Sequence, residues 1–261
     1  MDVKIKNIFN ITAFLVCIGL INIAGQNIEI DIRGMNAFTF ILIVAVLLQI
    51  IFFIPSFILK TEKYYDLVGS LTYIATVSLA YFSVENKTMI DSIIYFYVMI
   101  WASRLGIYLF TRVRNVGKDV RFEKAKRHFF WFLQYWMGQA LWVSLTACTA
   151  IIAILSPEDN TLPVLAIVGM ALWLSGFTIE SISDYQKRVF RKENNPNETF
   201  IHTGLWAISR HPNYFGEITL WTGIAVIALN TLTGIEYITL VSPVFVYILL
   251  TRMSGVNLLE R

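Results

Sequence analysis

The segment Gly204-Leu205-Trp206-Ala207-Ile208-Ser209-Arg210-His211-Pro212-Asn213-Tyr214-Phe215-Gly216-Glu217 gathers an arginine, a histidine, an amide, a phenol and a carboxylate at one place. Such a cluster is costly in apolar surroundings unless something polar binds there. Pro212 suits the first turn of a helix, where its missing N–H does no harm. Asn213, Tyr214, Gly216 and Glu217 then fall in the first two turns, with Arg210 and His211 just ahead. A helix start beside an arginine is a site for phosphate or another anion, and Gly216 allows close backbone approach. A plainer description also fits: a topological arginine beside an interfacial belt of Trp206, Tyr214 and Trp221. That description leaves Glu217 without a task.

Upstream, Glu180, Asp184, Lys187, Arg188 and Arg191 recur at helical spacing, so most share one side of a helix. A solvated helix end that pairs its own charges is one reading. Glu180, however, lies within an apolar run, where an acid usually faces a cavity. A pocket wall with acids for ribose or amide groups and arginines for phosphates accounts for it better. Asn194, Asn195 and Asn197 flank Pro196 in a turn-forming loop, and their amides also suit a ligand. Earlier in the chain, Asp66, with Gly69, Ser70 and Tyr73 beyond it, and Arg104 stand within apolar stretches. Asp66 and Arg104 either pair structurally or face the same pocket. Asp119 and Arg121 read as a solvated turn, and His128 as interfacial.

These residues must be positioned by membrane helices. The chain has 261 residues, of which 56% are hydrophobic and 15% charged, against about 25% charged in soluble domains. Mean hydropathy is +0.62. Segments long enough to cross a bilayer lie near 8–25, 36–59, 64–84, 89–111, 129–155, 162–183, 214–230 and 235–254. The expected fold class is therefore an all-α polytopic bundle of seven or eight transmembrane helices, forming one domain over 1–261. Lysine and arginine concentrate in the loops near 60–63, 112–128 and 184–213, whereas the intervening loops carry few. By the positive-inside rule both termini are cytoplasmic, and the first span, behind Lys4 and Lys6, shows no cleavage site.

Cys17 and Cys148 sit alone in apolar runs, so no metal site is expected. Phosphate-loop, dinucleotide-fingerprint, zinc-protease and nucleophile-elbow motifs are missing. The basic residues follow topology, and no nucleic-acid partner is expected.

The region from Gly176 to Trp221 resembles the steroid 5-alpha-reductase superfamily. The resemblance rests on Glu180-x3-Asp184-x6-Arg191, on Asn195-Pro196-Asn197, and on Thr203-Gly204-Leu205-Trp206-x2-Ser209-Arg210-His211-Pro212-Asn213-Tyr214-x-Gly216-Glu217. It extends from about residue 60 to the end and is closest to the branch called DUF1295, through Trp101-x2-Arg104-Leu105-Gly106, Gly117-Lys118-Asp119-x-Arg121 and Ser254-Gly255-Val256-x-Leu258-Leu259-Glu260. It implies a membrane reductase that takes NADPH from the cytoplasmic side and reduces an activated carbon–carbon double bond in a steroid, fatty acyl or isoprenoid substrate. Asp184, Arg191, Asn213 and Glu217 fall on cofactor-contacting positions. Glu180 replaces an Asn, Arg210 and His211 are the branch's own variant, and Arg188, Asn195 and Tyr214 complete the cofactor set. Asp66 falls near the superfamily's intramembrane Glu and, protonated by desolvation, would polarise a substrate carbonyl with Arg104 or Tyr73. The substrate would enter from the bilayer between the third and fourth helices, in a bacterial inner membrane or endoplasmic reticulum.

Two features depart from the steroid enzymes. Trp101 replaces a catalytic Tyr three residues before the Arg, and an indole N–H is no practical proton source. The His/Tyr-rich tail is missing as well. The short Arg-His-Pro-x-Tyr-x-Gly signature is also similar to that of the S-adenosylmethionine-dependent membrane methyltransferases of isoprenylcysteine and phospholipids. Their acidic pair and Tyr-rich segment after the last helix have no match here, and the Asp184…Arg191 arrangement favours NADPH.

Overall fold

In a computed structural model the described residues are 3–116, 122–156, 162–193 and 200–253. Most are helical, in α1 (Val3–Ile21), α2 (Ala37–Ile58), α3 (Tyr65–Ser83), α4 (Met89–Val116), α5 (Phe129–Leu155), α6 (Val164–Glu193), α7 (Pro212–Ala228) and α8 (Val241–Ile248). Each segment expected to be helical forms a helix. Among the described residues six helical stretches are long and apolar enough to span a bilayer: Val3–Gly25, Ala37–Ile58, Met89–Arg114, Phe129–Leu155, Val164–Glu193 and Gly234–Arg252. α3 and α7 do not qualify. α7 is only 17 residues long, and α3 dilutes its apolar content with Asp66, Ser70, Thr72, Thr76, Ser78 and three tyrosines. α4 continues to Val116 rather than ending near 111, so Arg112 and Arg114, expected in a loop, are helical.

The ends of these helices follow from their sequences. Asn36 caps α2, accepting the Thr39 N–H at 3.1 Å and donating to the Gly25 and Ile28 carbonyls. It closes a two-stranded hairpin, β1 (Asp31–Ile32) and β2 (Met35–Asn36). Arg33 and Gly34 form its two-residue turn with φ 54° and 77°. Thr88 and Asp91 cap α4 reciprocally, at 2.7 and 3.1 Å.

The chain divides into two compact units. The first comprises Met1–Thr161 and Thr231–Thr239, the second Leu162–Asn230 and Leu240–Arg261. In the first, α5 is the central post, with α1, α2 and α3 packed around it and α4 against α3. Its apolar stretch is 83% buried, against 22–39% for the other spans, as an evenly apolar helix should be. α2 shows the complementary pattern. It buries Phe38, Ile41, Ala45, Gln49 and Phe53 and exposes Ile43, Leu47, Ile51, Ile54 and Ile58 as a lipid-facing stripe. A knot of Phe53, Val68, Phe122, Phe132, Trp136 and Met137 fills one end of this unit. In the second unit α6 and α7 form a hairpin, with α8 against α7.

Candidate functional site

In the second unit the α6–α7 hairpin closes on glycines. Gly169 and Gly176 on α6 face Gly223 and Gly216 on α7, seven residues apart on each helix. A Cβ on Gly176 would lie 2.5 Å from the Leu220 backbone nitrogen, and one on Gly216 would lie 2.6 Å from that of Glu180. The two backbones therefore touch, which only glycine permits. The buried face of α6 runs Ala166, Gly169, Trp173, Gly176, Glu180, Ser183 and Asp184. Glu180 lies one turn beyond Gly176, against Gly216 in the second turn of α7. The same register carries Asp184 level with the start of α7. Two carboxylates, 2% and 5% exposed, thus lie beside a helix start, whose unsatisfied N–H groups favour negative charge.

The segment leading into α7 is fastened to the end of α6. Gly204, at φ 60°, tucks beneath the Gln186 carboxamide, and Gln186 Oε1 accepts the Leu205 N–H at 3.1 Å. The Trp206 indole donates to the Ser183 carbonyl at 3.1 Å, and Lys187 Nζ lies 4.9 Å from the centre of its ring. Trp206 and Trp221 are buried, so they do not form an interfacial belt with Tyr214. Arg210 and His211 come directly after this segment. The His211 ring stacks on Tyr214 at 5.2 Å and 9°. Asn213 is half-buried, and its side-chain oxygen is shut off from solvent with no hydrogen-bond partner. Glu217 is half-buried too, whereas Arg188, Arg191 and Arg210 are exposed. Buried acids, an orphan amide oxygen and a fringe of exposed cations thus gather at one end of a single hairpin. Asn195, Asp119 and Arg121 lie outside the described residues.

Three supporting residues escaped the sequence reading: Ser183, Gln186 and Arg112. The first two share a side of α6 with Lys187, and that helical spacing was the available signal.

In the first unit α3 and α4 run antiparallel. Tyr73 meets Trp101 edge-to-face at 5.0 Å and 89°, and Ser70 fills the space over Gly106. Asp66 binds Arg112 at 3.3 Å between Oδ2 and Nη2. Tyr73 and Trp101 are buried, Arg104 is half-buried, and the register sets both Trp101 and Arg104 on the α4 stretch facing this part of α3. The sequence suggested Arg104 as a structural cation partner for Asp66. A cation two turns beyond Arg104 supplies that partner, and nothing in the sequence separated it from the topological charges.

These features define a polytopic α-helical membrane protein with a polar hairpin at one end of its last helices. The chain belongs to the family described as protein of unknown function (DUF1295), whose model matches residues 52–261. No curated protein and no solved structure matches the chain.

Proposed function

We propose that the protein is a membrane-embedded, NADPH-dependent reductase of a carbon–carbon double bond in a lipid-like substrate, akin to the steroid 5-alpha-reductase superfamily. The observation that carries this reading is the sorting of charge on the α6–α7 hairpin. Glu180 and Asp184 are buried beside the start of α7, the Asn213 oxygen in the first turn of α7 is unsatisfied, and Arg188, Arg191 and Arg210 are exposed. A nucleotide has the matching polarity, with ribose hydroxyls and a carboxamide that donate hydrogen bonds and phosphates that accept them. The residues present therefore fit NADPH, which when bound supplies a hydride.

In this reading Glu180, Asp184 and Glu217 accept from ribose or amide groups, and Asn213 orients the carboxamide. Arg188, Arg191 and Arg210 hold phosphates as charged donors, and the neutral Asn195 amide serves the same ligand. The stacked His211 and Tyr214 rings form a flat wall beside them. The substrate-side residues have a separate task. Tyr73 and Arg104 present donors to a substrate carbonyl. Asp66, held by Arg112, fixes the electrostatic setting, and Trp101 shapes the wall. Both termini and the nucleotide side face the cytoplasm, as the loop charges favour, and the bilayer delivers the substrate.

The S-adenosylmethionine-dependent methyltransferase is the rival, and one titration separates the two. Detergent-purified protein is melted with NADPH, NADH or S-adenosylmethionine, because a ligand stabilises the state it binds. A rise in melting temperature with NADPH, smaller with NADH, is the expected result. A rise with S-adenosylmethionine alone would replace the reductase with a methyltransferase.

A further inference from the structure

Away from the charged groups, the first unit holds neutral polar side chains deep in its core. Gln49 of α2 is fully buried, and its Nε2 donates to Thr72 Oγ1 of α3 at 2.9 Å, leaving its Oε1 without a partner. Gln139 of α5 is 8% exposed, and its Oε1 also lacks a partner. Its carboxamide lies over Gly69 of α3, where a Cβ would be 2.5 Å from Nε2. The missing side chain at Gly69 therefore makes room for this amide. The Trp136 Nε1–H, one turn before Gln139, is buried and unpaired as well.

Aromatic contacts bring these groups to one level. α2 and α5 run antiparallel, with Phe57 against Phe129 and Phe53 against Phe132 and Trp136. One turn further along that ladder Gln49 comes level with Gln139. α3 runs parallel to α5, with Tyr65 against Trp136 and Gly69 against Gln139. Thr72, the partner of Gln49, is a turn beyond Gly69. Two carboxamides and an indole N–H, from α2 and α5, thus come together against α3. Gln139 is about 15 Å along α5 from its start, near the middle of a bilayer core about 30 Å thick. Polar side chains that simply join helices bond to one another, as Gln49 does to Thr72. The remaining ends are unmet, and each such group calls for a partner.

We propose that this wedge of α2, α3 and α5 binds an uncharged oxygen function, a hydroxyl or ketone, on a lipid. The Trp136 indole donates to it, and the Gln139 and Gln49 carboxamides accept from a hydroxyl or, turned over, donate to a ketone. The Gln49, Gln139 and Trp136 groups are neutral, so they offer no counter-charge to a carboxylate or phosphate, whose charge would be buried unpaired. The proposal names the substrate chemistry of the reductase and rests on that reading only for the reaction of the bound lipid, not for its binding.

The test uses the intact protein without nucleotide. A long-chain alcohol bearing a diazirine is photolysed with the detergent-purified chain, and labelled peptides are mapped. Unlabelled 1-hexadecanol, 2-hexadecanone, hexadecanoate and hexadecane serve as competitors. Labelling around 136–140 and 49, displaced by alcohol and ketone at least tenfold more effectively than by carboxylate or alkane, is expected. Gln139→Leu should weaken that displacement about tenfold while the unliganded melting temperature stays close to wild type. Should that variant not fold, the competitor series on wild type decides alone. Labelling spread over the lipid-facing surface, or all four competitors acting alike, would overturn the proposal and leave water as the occupant. NADPH binding is measured separately, so failure here and failure of the reductase reading are distinct results.

Discussion

Gly216→Ala offers a stringent test of how the hairpin is built. The added methyl would lie 2.6 Å from the Glu180 backbone nitrogen and 2.7 Å from the Gly176 carbonyl oxygen. No flexible side chain can yield, so α6 and α7 must part by most of an ångström to restore an ordinary contact near 3.4 Å. Overpacking of this kind costs about 1–3 kcal/mol, and obstruction by backbone argues for the upper end. Replacing a mid-helix glycine with alanine returns about 1 kcal/mol of helix propensity. The net expectation is a loss of about 2 kcal/mol. Gly19→Ala is the internal control, because that glycine is helical and exposed with nothing within 4 Å of its would-be Cβ. There only the propensity gain operates, and stability should rise by about 0.5–1 kcal/mol. The two variants should therefore move the melting temperature in detergent in opposite directions. If Gly216→Ala melts at or above the wild-type temperature, the backbone contact between α6 and α7 is wrong, and with it the placement of Glu180 beside α7.

Further expectations concern individual contacts. Asp91→Ala removes half of the reciprocal cap on α4 and should lower stability by about 0.5–2 kcal/mol, read as a fall in melting temperature. Asp66→Asn and Arg112→Ala in a double-mutant cycle should couple by no more than about 1 kcal/mol, because the arginine side chain is 33% exposed and screened. With a substrate in hand, Asp66→Asn should lower turnover more than nucleotide affinity; the reverse would take Asp66 out of the substrate site. Arg210→Ala should weaken NADPH binding about tenfold through a lost charged hydrogen bond. Unchanged affinity by calorimetry would detach Arg210 from the phosphates.

Much of this architecture can be read from residue order, because membrane helices answer mainly to length and apolarity, which are local properties. The helices α2 and α5 begin or end within about a residue of where their apolar runs do. Pro212 announces the start of α7, and the spacing of Glu180 and Asp184 sets both acids on one helical face. Tertiary structure decided what those faces meet. Trp206 could have been an interfacial anchor, yet its indole is spent on the Ser183 carbonyl. Arg112 could have been one more cytoplasmic charge, yet α4 extends far enough to bring it to Asp66. The glycines at 169, 176 and 223 carry no local instruction, and Gly216 only a general permission for close approach. Their meaning appears only when two backbones pack against each other, because close approach is a property of a pair of helices. Gly69 and Gln139 belong to the same category, separated widely in sequence and joined only by the packing of α3 against α5.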